Sequence, residues 1–359
     1  MQTVTSPAFS YNEPTGSEKL VSVLLPNLNN HQFLATRFET ILAQSYENWE
    51  LIVVDSYSDD GAWEIIQQYA RRDCRIKVSQ APKKGIYAGL NRCINLSKGD
   101  YIYIATSDDT MTPDCLEKMV SALEERADCD ICHCCLTVID EFGKELASDW
   151  TSLLPAQFFG SLLQCPHVRI APHDAILYCC LNTVYSSLTQ LLVRRSVFDK
   201  VGLFKSQFGS QGDLEWGIRA ASQCNTLHIP YALATWRRHP DQASKDSIID
   251  SPQAKAILVR AVKSGLQEAA ERNPDFQLRI SLRRLTLSYR FEQLERQTWA
   301  QPNALGKLAV VGKFFFLRPD VAIRFFLDKS SLVPFDRISY AKSCLAQQGL
   351  TYHLQKLSF

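Results

Sequence analysis

The first third of the chain alternates short, continuous hydrophobic runs with longer stretches in which apolar residues recur every three or four positions. Short runs are typical of buried strands, and the wider spacing is typical of amphipathic helices. The predicted strands are KLVSVLLPN, WELIVVD, RIKVSQ and YIYIAT. The predicted helices cover about residues 33–43, 63–69, 85–99 and 113–126. A helix between each pair of strands predicts a doubly wound α/β sheet.

The pattern becomes less regular after these elements. DICHCCLTVI predicts another buried strand, LLVRRSVFDKVGLF a strand entering a short helix, and FGSQGDLEWGIRAA a turn entering a helix. LHIPYALATWRRH is predicted to be extended, and the chain is helical and basic from about residue 251. These patterns predict a loose leader over 1–18, an α/β domain over 19–245 with a mixed sheet, and a mainly helical region over 246–359.

Composition and charge restrict the possible partners. The chain has 359 residues, 46% of them hydrophobic, which is enough for a full-sized core. Residues 251–359 contain 17 Lys and Arg but 8 Asp and Glu, whereas the remainder is acidic. The acidic first part argues against nucleic acid as a partner. The basic region holds nine of the 18 Phe residues, so it either meets a membrane surface or forms a solvated helical face.

Localisation is inferred from what the sequence lacks. There is no apolar run of 18 residues, and the first residues show neither a basic segment nor an apolar stretch. We therefore expect a cytoplasmic protein, with peripheral attachment to the membrane if the basic region binds lipid. The twelve cysteines are expected to be free thiols in a reducing compartment.

The cysteine cluster between Cys129 and Cys135 has the C-x-x-C spacing of some zinc sites. No second pair of ligands follows at zinc-site distance. Because cysteine is among the most frequently buried residues, the cluster is interpreted as part of the core, with zinc binding as the alternative.

Polar residues follow three of the predicted strands: Asn27 and Asn29, then Asp55, then Asp108 and Asp109. In a doubly wound sheet, ligands bind at the carboxyl ends of the strands. Two adjacent carboxylates repel each other unless a cation lies beside them, and oxygen ligands suit Mg²⁺ or Mn²⁺. The alternative for Asp108 or Asp109 is to cap the next helix, and for Asp55 to form a local turn.

Two further polar positions follow in the second half of the domain. Asp213 lies near a predicted helix start, where it acts as a helix cap or as a general base. Glu215 cannot share its helix face and is the next candidate base. His239 follows two arginines, which disfavour its protonated form and suit a neutral metal ligand; the alternative is a surface turn.

Six segments in this order resemble the successive motifs of the family 2 glycosyltransferases with the A-type fold. They are VSVLLPNLNN, LIVVDSYSDDG, KKGIYAGLN, GDYIYIATSDD, FGSQGDLEW and RRHPDQAS, and the likeness covers about residues 19–245. The resemblance implies inverting transfer of a sugar from a nucleotide diphosphate, with UDP expected, to an acceptor hydroxyl. It implies a saccharide or lipid-linked saccharide acceptor and a role in polysaccharide or glycolipid biosynthesis.

The resemblance also implies roles for individual residues. It makes Asp213 the catalytic base, and Asp109 with His239 the ligands of Mn²⁺ or Mg²⁺. The donor-binding positions that it implies are Pro26, Asn27, Asn29, Asp55, Lys84, Gly85, Asn91 and Asp108. A divalent cation neutralises charge on the departing diphosphate, and a carboxylate on the opposite face accepts the proton of the acceptor hydroxyl.

Three residues depart from the family pattern. Ser107 replaces the first acid of the metal motif, Gly212 replaces a Glu before the base, and Ala88 replaces an Asp. The first two keep open a non-catalytic binding domain as an alternative. A nucleotidyltransferase is the other alternative, but LLPNLNN lacks the Gly-rich basic loop expected after its first strand.

Overall fold

The computed structural model describes residues 19–146, 153–240, 242, 252–276, 278–282, 300–317 and 337–357, with single positions 285, 294, 297, 298 and 319. The predicted leader, 1–18, lies outside this part. The described strands are β1 Val21–Asn27, β2 Trp49–Asp55, β3 Ile76–Gln80, β4 Tyr101–Ile104, β5 Ile131–Ile139, β6 His167–Arg169, β7 Leu191–Arg194, β8 Thr226–Arg237 and β9 Leu354–Lys356.

These strands form one sheet in the order β3-β2-β1-β4-β7-β5-β8-β6-β9. The first four strands in this order are parallel, as the helix crossovers predict. The strand β7 runs antiparallel to both β4 and β5, and β6 runs antiparallel to β8 and β9. The predicted α/β class and mixed sheet are therefore confirmed.

Helices connect the strands and cover the sheet. The described α-helices are α1 His31–Leu42, α2 Ala62–Arg72, α3 Ile86–Leu96, α4 Cys115–Glu125, α5 Leu154–Phe159, α6 His173–Leu181, α7 Ser196–Val201, α8 Gly212–Ala221, α9 Pro252–Arg272, α10 Ala304–Leu317 and α11 Arg337–Gln347. Every residue of β1 and β2 is buried, because helices shield both faces. Within the described ranges, no helix has the length and hydrophobicity needed to span a bilayer.

The C-terminal region packs on the sheet domain. The helix α9 contacts α8, α11 contacts α6, and β9 extends the edge of the sheet beside β6. The predicted helical character is confirmed, whereas the domain boundary at 245 stays a prediction.

The cysteine cluster lies in β5, where Cys132 and Cys134 are buried and Cys135 is partly buried. All twelve cysteines lie in the described residues, and none of them forms a disulfide bond. These positions fit the interpretation of the cluster as core.

A polar cluster is buried where β5, β6 and β8 meet. His133 and His228 approach within 3.2 Å through their Nδ1 atoms, and Arg169 contacts His167 at 3.1 Å and Asp174 at 2.8 Å. Burial and the charge of Arg169 lower the pKa of all three histidines, to about 4 for His167. These rings are therefore neutral in the folded protein at neutral pH.

We expect this cluster to make the fold sensitive to mild acid. Histidines of the unfolded chain titrate near pH 6.5, so the unfolded state binds more protons below that pH. The free energy of unfolding should fall by about 1.4 kcal/mol per pH unit for each ring between about pH 6.5 and 4. Urea unfolding at pH 7, 6 and 5 measures this slope.

His167→Gln removes one of these titrating rings. The free energy of unfolding should therefore fall less steeply with falling pH, by about 1.4 kcal/mol per pH unit less than in the wild type. His31→Gln, which changes an exposed histidine of α1, is the control and should leave the slope unchanged. Parallel slopes for the wild type and His167→Gln would contradict the assignment.

Candidate functional site

The carboxyl ends of β1, β2 and β3 meet around Asp55, which is fully buried. Its carboxylate accepts hydrogen bonds from Asn27 Nδ2 at 2.9 Å, Ser58 Oγ at 2.6 Å and Gln80 Nε2 at 3.2 Å. The backbone amide of Ser58 donates a further bond at 3.0 Å. Asp55 is therefore fully hydrogen-bonded within the protein and fixes the groups around it, and its direct contact with the donor stays a prediction.

The asparagines near Asp55 differ in how many of their side-chain atoms already have hydrogen-bond partners. Asn29, which is predicted to bind the donor, exchanges two hydrogen bonds with Asp59, at 2.8 and 3.1 Å. Its φ of 53° lies in the left-handed region, which Asn tolerates better than most residues. Asn27 keeps one buried acceptor, Oδ1, that has no hydrogen-bond partner among the described residues. Asn27 is thus the predicted residue at this edge with a side-chain atom left for a ligand.

Asp109 is the buried member of the predicted metal pair, with 2% of its surface exposed. It accepts hydrogen bonds from Thr106 Oγ1 at 2.5 Å, Ser187 Oγ at 2.8 Å and the Arg237 amide at 2.8 Å. Burial and the adjacent charge of Asp108 raise the pKa of Asp109 to about 7, against the effect of these donors. Three protein donors occupy most of its acceptor positions, and its role as a metal ligand stays a prediction.

Asp108 is the more accessible carboxylate, with 24% of its side chain exposed. Its Oδ2 lies 3.2 Å from Nε2 of His239, whose side chain is 3% exposed. Arg237 holds this pair in place, since its Nε donates to the Asp108 carbonyl at 2.7 Å. The Phe33 ring contacts His239, with ring centroids 4.8 Å apart. It also contacts Arg237, whose guanidinium carbon lies 5.0 Å from the Phe33 ring centroid.

Asp108 and His239 suit a divalent cation. One carboxylate and one imidazole are ligands that Mn²⁺ accepts. The His239 imidazole is buried, and its Nδ1 atom has no hydrogen-bond partner within the described part of the chain. The described residues contain no group of three or more His, Cys, Asp or Glu that could hold a metal. Two protein ligands leave most positions to substrate phosphates and water, as is usual for Mg²⁺.

Ser107, which stands where the family pattern has the first acid of the metal motif, has a structural role. Its hydroxyl accepts a hydrogen bond from Asn30 at 2.7 Å, which ties the end of β4 to the start of α1.

The other predicted donor residues separate into exposed and structural positions. Lys84 and Gly85 are exposed before α3, whose N-terminus is suited to anions. Pro26 is buried beyond the point where β4 pairing with β1 ends, so its missing N–H breaks no bond to β4. The Asn91 side-chain amide binds the backbone of Phe204, at 2.7 and 3.1 Å, and its contact with the donor stays a prediction.

Asp213 lies in the first turn of α8 and is partly buried. Its Oδ1 accepts from the Leu214 amide at 2.8 Å, and hydrogen bonding with Tyr87 also lowers its pKa. Burial outweighs both and raises the pKa to about 6. The residue before α8 is Gln211, so Asp213 is not the helix cap. A carboxylate with this pKa is mostly ionised at neutral pH and basic enough to accept a proton.

Glu215, the next candidate base, is fully buried. It binds Arg219 at 2.7 Å, Lys205 at 3.2 Å and Ser264 at 3.2 Å. These contacts join α8 to α9 and leave Asp213 as the candidate base.

Several residues around these acids were not found from the sequence. Single hydroxyl, amide, guanidinium and aromatic side chains form no sequence motif that marks a site. Most of their partners are distant in the chain. The missed residues are Phe33, Ser58, Gln80, Tyr87, Thr106, Ser187 and Arg237.

Similar proteins were found among curated sequences. The chain is 42% identical to EpsE of Bacillus subtilis over 125 residues, which are 34% of the chain and 45% of EpsE. It is 35% identical to the glycosyltransferase GlyG of Streptococcus pneumoniae over 114 residues, 32% of the chain and 38% of GlyG. The chain thus spans less than half the length of these relatives.

A solved structure of S. aureus TarS 1-349 in complex with UDP-GlcNAc aligns with 92% of each chain. The TM-score is 0.54 and the sequence identity 13%, which shows a common fold. This likeness confirms the A-type glycosyltransferase fold. The model of glycosyl transferase family 2 matches residues 22–201, half of the chain. The protein therefore belongs to glycosyl transferase family 2.

Proposed function

We propose that the protein transfers a sugar from a nucleoside diphosphate sugar to an acceptor hydroxyl, with inversion at the anomeric carbon. The observation that carries this proposal is a pair of separated acidic sites in a family 2 chain. Asp108 with His239 forms one, and Asp213, with its raised pKa, forms the other. The site of Asp108 and His239 suits a cation that binds the negatively charged diphosphate as it leaves. Asp213 suits removal of the proton from the acceptor hydroxyl.

The donor is proposed to lie along the ends of β1, β2 and β4. Asn27 offers a free acceptor there, and Asp55 fixes its orientation. UDP is the expected nucleotide, because a structural neighbour was solved with UDP-GlcNAc. Lys84 and the N-terminus of α3 supply positive potential for the diphosphate.

The proposed metal site is Asp108 with His239. A bound Mn²⁺ or Mg²⁺ would neutralise negative charge that develops on the departing diphosphate. Arg237 keeps both ligands in place through its contacts with the Asp108 carbonyl and the Phe33 ring.

Asp213 is proposed to accept the proton of the acceptor hydroxyl as that oxygen attacks the anomeric carbon. The electron pair of the sugar–phosphate bond leaves with the nucleoside diphosphate. A single base and direct displacement, without a covalent enzyme intermediate, give inversion. A saccharide or lipid-linked saccharide is the proposed acceptor, and polysaccharide or glycolipid biosynthesis the proposed process.

The basic C-terminal region is proposed to meet anionic lipid on the cytoplasmic face of a membrane. The helix α10 exposes four large apolar side chains: Leu305, Leu308, Phe315 and Phe316. Their spacing places them along one face of the helix. Such a stripe, beside Lys307 and Lys313, is typical of an interfacial helix. Phe325 and Phe326, two of the nine Phe residues of this basic region, lie outside the described residues.

Replacing Asp108 tests the metal site. Asp108→Asn should weaken UDP binding in Mn²⁺ by about 1.5–3 kcal/mol, roughly 10- to 100-fold, because an ionised ligand is lost. Binding of UDP in EDTA should not change. Titration calorimetry measures both affinities.

Asp128→Asn is the matched control, since Asp128 precedes the start of β5, at the end of the strands opposite the carboxyl end of β4. Its UDP affinity should equal that of the wild type. If Asp108→Asn keeps the gain in affinity that Mn²⁺ gives, the site is assigned to the wrong carboxylate.

Replacing Asp213 tests the base. Asp213→Asn keeps the shape of the side chain but cannot accept a proton, so kcat should fall by about 100-fold or more. The affinity for UDP should remain. Release of UDP from a UDP-sugar, with water as acceptor, gives the rate, and Asp199→Asn of α7 is the control. A near-normal rate for Asp213→Asn would place the base elsewhere.

Removing the apolar stripe tests the membrane contact. Wild-type protein should sediment with anionic vesicles, less so at high salt and little with neutral vesicles. Leu308→Ser combined with Phe316→Ser should lower binding roughly tenfold or more, since each apolar side chain buried in lipid contributes about 1.5–3 kcal/mol.

Phe142→Ser is the control for this double variant, because Phe142 is equally exposed in the turn after β5. Equal recovery of the wild type in the supernatant with neutral and anionic vesicles would favour a solvated face.

A further inference from the structure

Tyr57 lies in the turn between β2 and α2 and has an unusual backbone conformation. Its φ is 54°, in the left-handed region that is sterically costly for a residue with a large side chain. The other described residues with positive φ are glycines and two asparagines, Asn29 and Asn182, which tolerate this region better. Within the described ranges, Tyr57 is therefore the residue whose side chain fits its positive φ least well.

Hydrogen bonds on both sides of Tyr57 impose this conformation. The Ser56 amide donates to the Asn27 carbonyl at 2.9 Å, which continues the pairing between the ends of β1 and β2. The Ser58 amide and hydroxyl donate to the Asp55 carboxylate at 3.0 and 2.6 Å. Strained residues persist only where the surrounding contacts fix them, and they concentrate at ligand-binding sites.

The Tyr57 side chain is exposed in spite of its large ring. Among the described tyrosines, Tyr57 and Tyr352 are the exposed ones, with exposed fractions of 60% and 86%. Because most of the Tyr57 ring lies in solvent, little burial energy offsets the backbone strain. Packing within the protein therefore does not explain why a tyrosine occupies this position.

The turn lies at the carboxyl ends of β1 and β2, where ligands bind in a doubly wound sheet. Asn27, the last residue of β1, is 3% exposed, and its Oδ1 atom has no hydrogen-bond partner in the described structure. Its Nδ2 atom donates to Asp55 at 2.9 Å and to Ser58 at 3.2 Å, which fixes the orientation of the amide. A buried acceptor without a donor is costly, so Oδ1 fits a ligand that carries an N–H group.

We propose that Tyr57 stacks on the nucleobase of the donor, and that Asn27 Oδ1 accepts a hydrogen bond from the edge of the same base. The proposal deepens the proposed function, on which it rests. Uracil suits both contacts, because its ring has a flat π face and its N3 atom carries a proton. Since the turn is fixed before the nucleotide binds, less conformational entropy is lost on binding.

Tyr57→Asn removes the ring and keeps a residue that tolerates a positive φ. Titration calorimetry in Mn²⁺ should show UDP binding weakened by roughly 5- to 100-fold, because base stacking is lost. Binding of pyrophosphate, which has the two phosphates but no base, should stay as in the wild type. Unchanged UDP affinity, or an equal loss for UDP and pyrophosphate, would overturn the stacking role.

Tyr57→Phe separates the ring from the hydroxyl. Phenylalanine presents the same flat face, so this variant should bind UDP as the wild type does. If Tyr57→Phe loses as much affinity as Tyr57→Asn, the contact is made by the hydroxyl and stacking is contradicted.

Tyr352→Asn is the matched control, because Tyr352 is also exposed but precedes β9, at the other edge of the sheet. Its UDP affinity should equal that of the wild type. The melting temperature gives a second readout. Tyr57→Asn should melt no lower than the wild type, since asparagine relieves the strain. A lower value would mean that the ring stabilises the fold, against the proposal.

CDP tests the contact with Asn27. Cytosine stacks as uracil does, but its N3 atom carries no proton and faces the fixed Oδ1 as a second acceptor. CDP should therefore bind at least roughly tenfold more weakly than UDP to the wild type. Equal affinities for the two nucleotides would contradict the hydrogen bond from the base edge.

The outcomes separate this inference from the proposed function. If the wild type binds no UDP in Mn²⁺, the proposed function and the inference both fail. If the wild type binds UDP and Tyr57→Asn binds it equally well, the stacking role alone is wrong.

Discussion

The candidate site depends on one buried carboxylate, that of Asp109. Its three donors come from the end of β4, the segment before β7 and the end of β8, so it ties together three parts of the chain. A buried acid is costly unless it is hydrogen-bonded or neutral, and here it is bonded while its pKa is raised to about 7. This constraint fixes the turn that presents Asp108 and the strand end that leads to His239.

The same network reaches into the core of the sheet. Ser187 donates through its hydroxyl to Asp109, and the backbone amides of Ser186 and Ser187 both donate to Oε1 of Gln190. The Gln190 side-chain amide then donates to the Cys134 carbonyl at 2.8 Å. His133 lies 3.3 Å from that amide. The polar cluster among β5, β6 and β8 is therefore continuous with the site, and its loss in acid would affect both.

The two acids proposed for chemistry differ because their surroundings differ. Asp108 is partly exposed beside an imidazole, which suits a cation and a charged diphosphate. Asp213 lies among phenol rings, where burial raises its pKa to about 6 and hydrogen bonds oppose that rise. The environment, more than the residue type, separates a ligand from a base.

The sequence alone determined the α/β class, the order of the first strands and helices, and the polar residues at the strand ends. Hydrophobic periodicity and turn residues act locally, so they are readable in one chain. It did not show which of Asp108 and Asp109 is buried, because their burial depends on how the end of β4 packs against the end of β8. The packing of the Tyr87 ring against Gly212 likewise joins residues that are 125 positions apart in the chain. Burial and hydrogen-bond partners are properties of the tertiary structure, and they decided which side chains remain free to act.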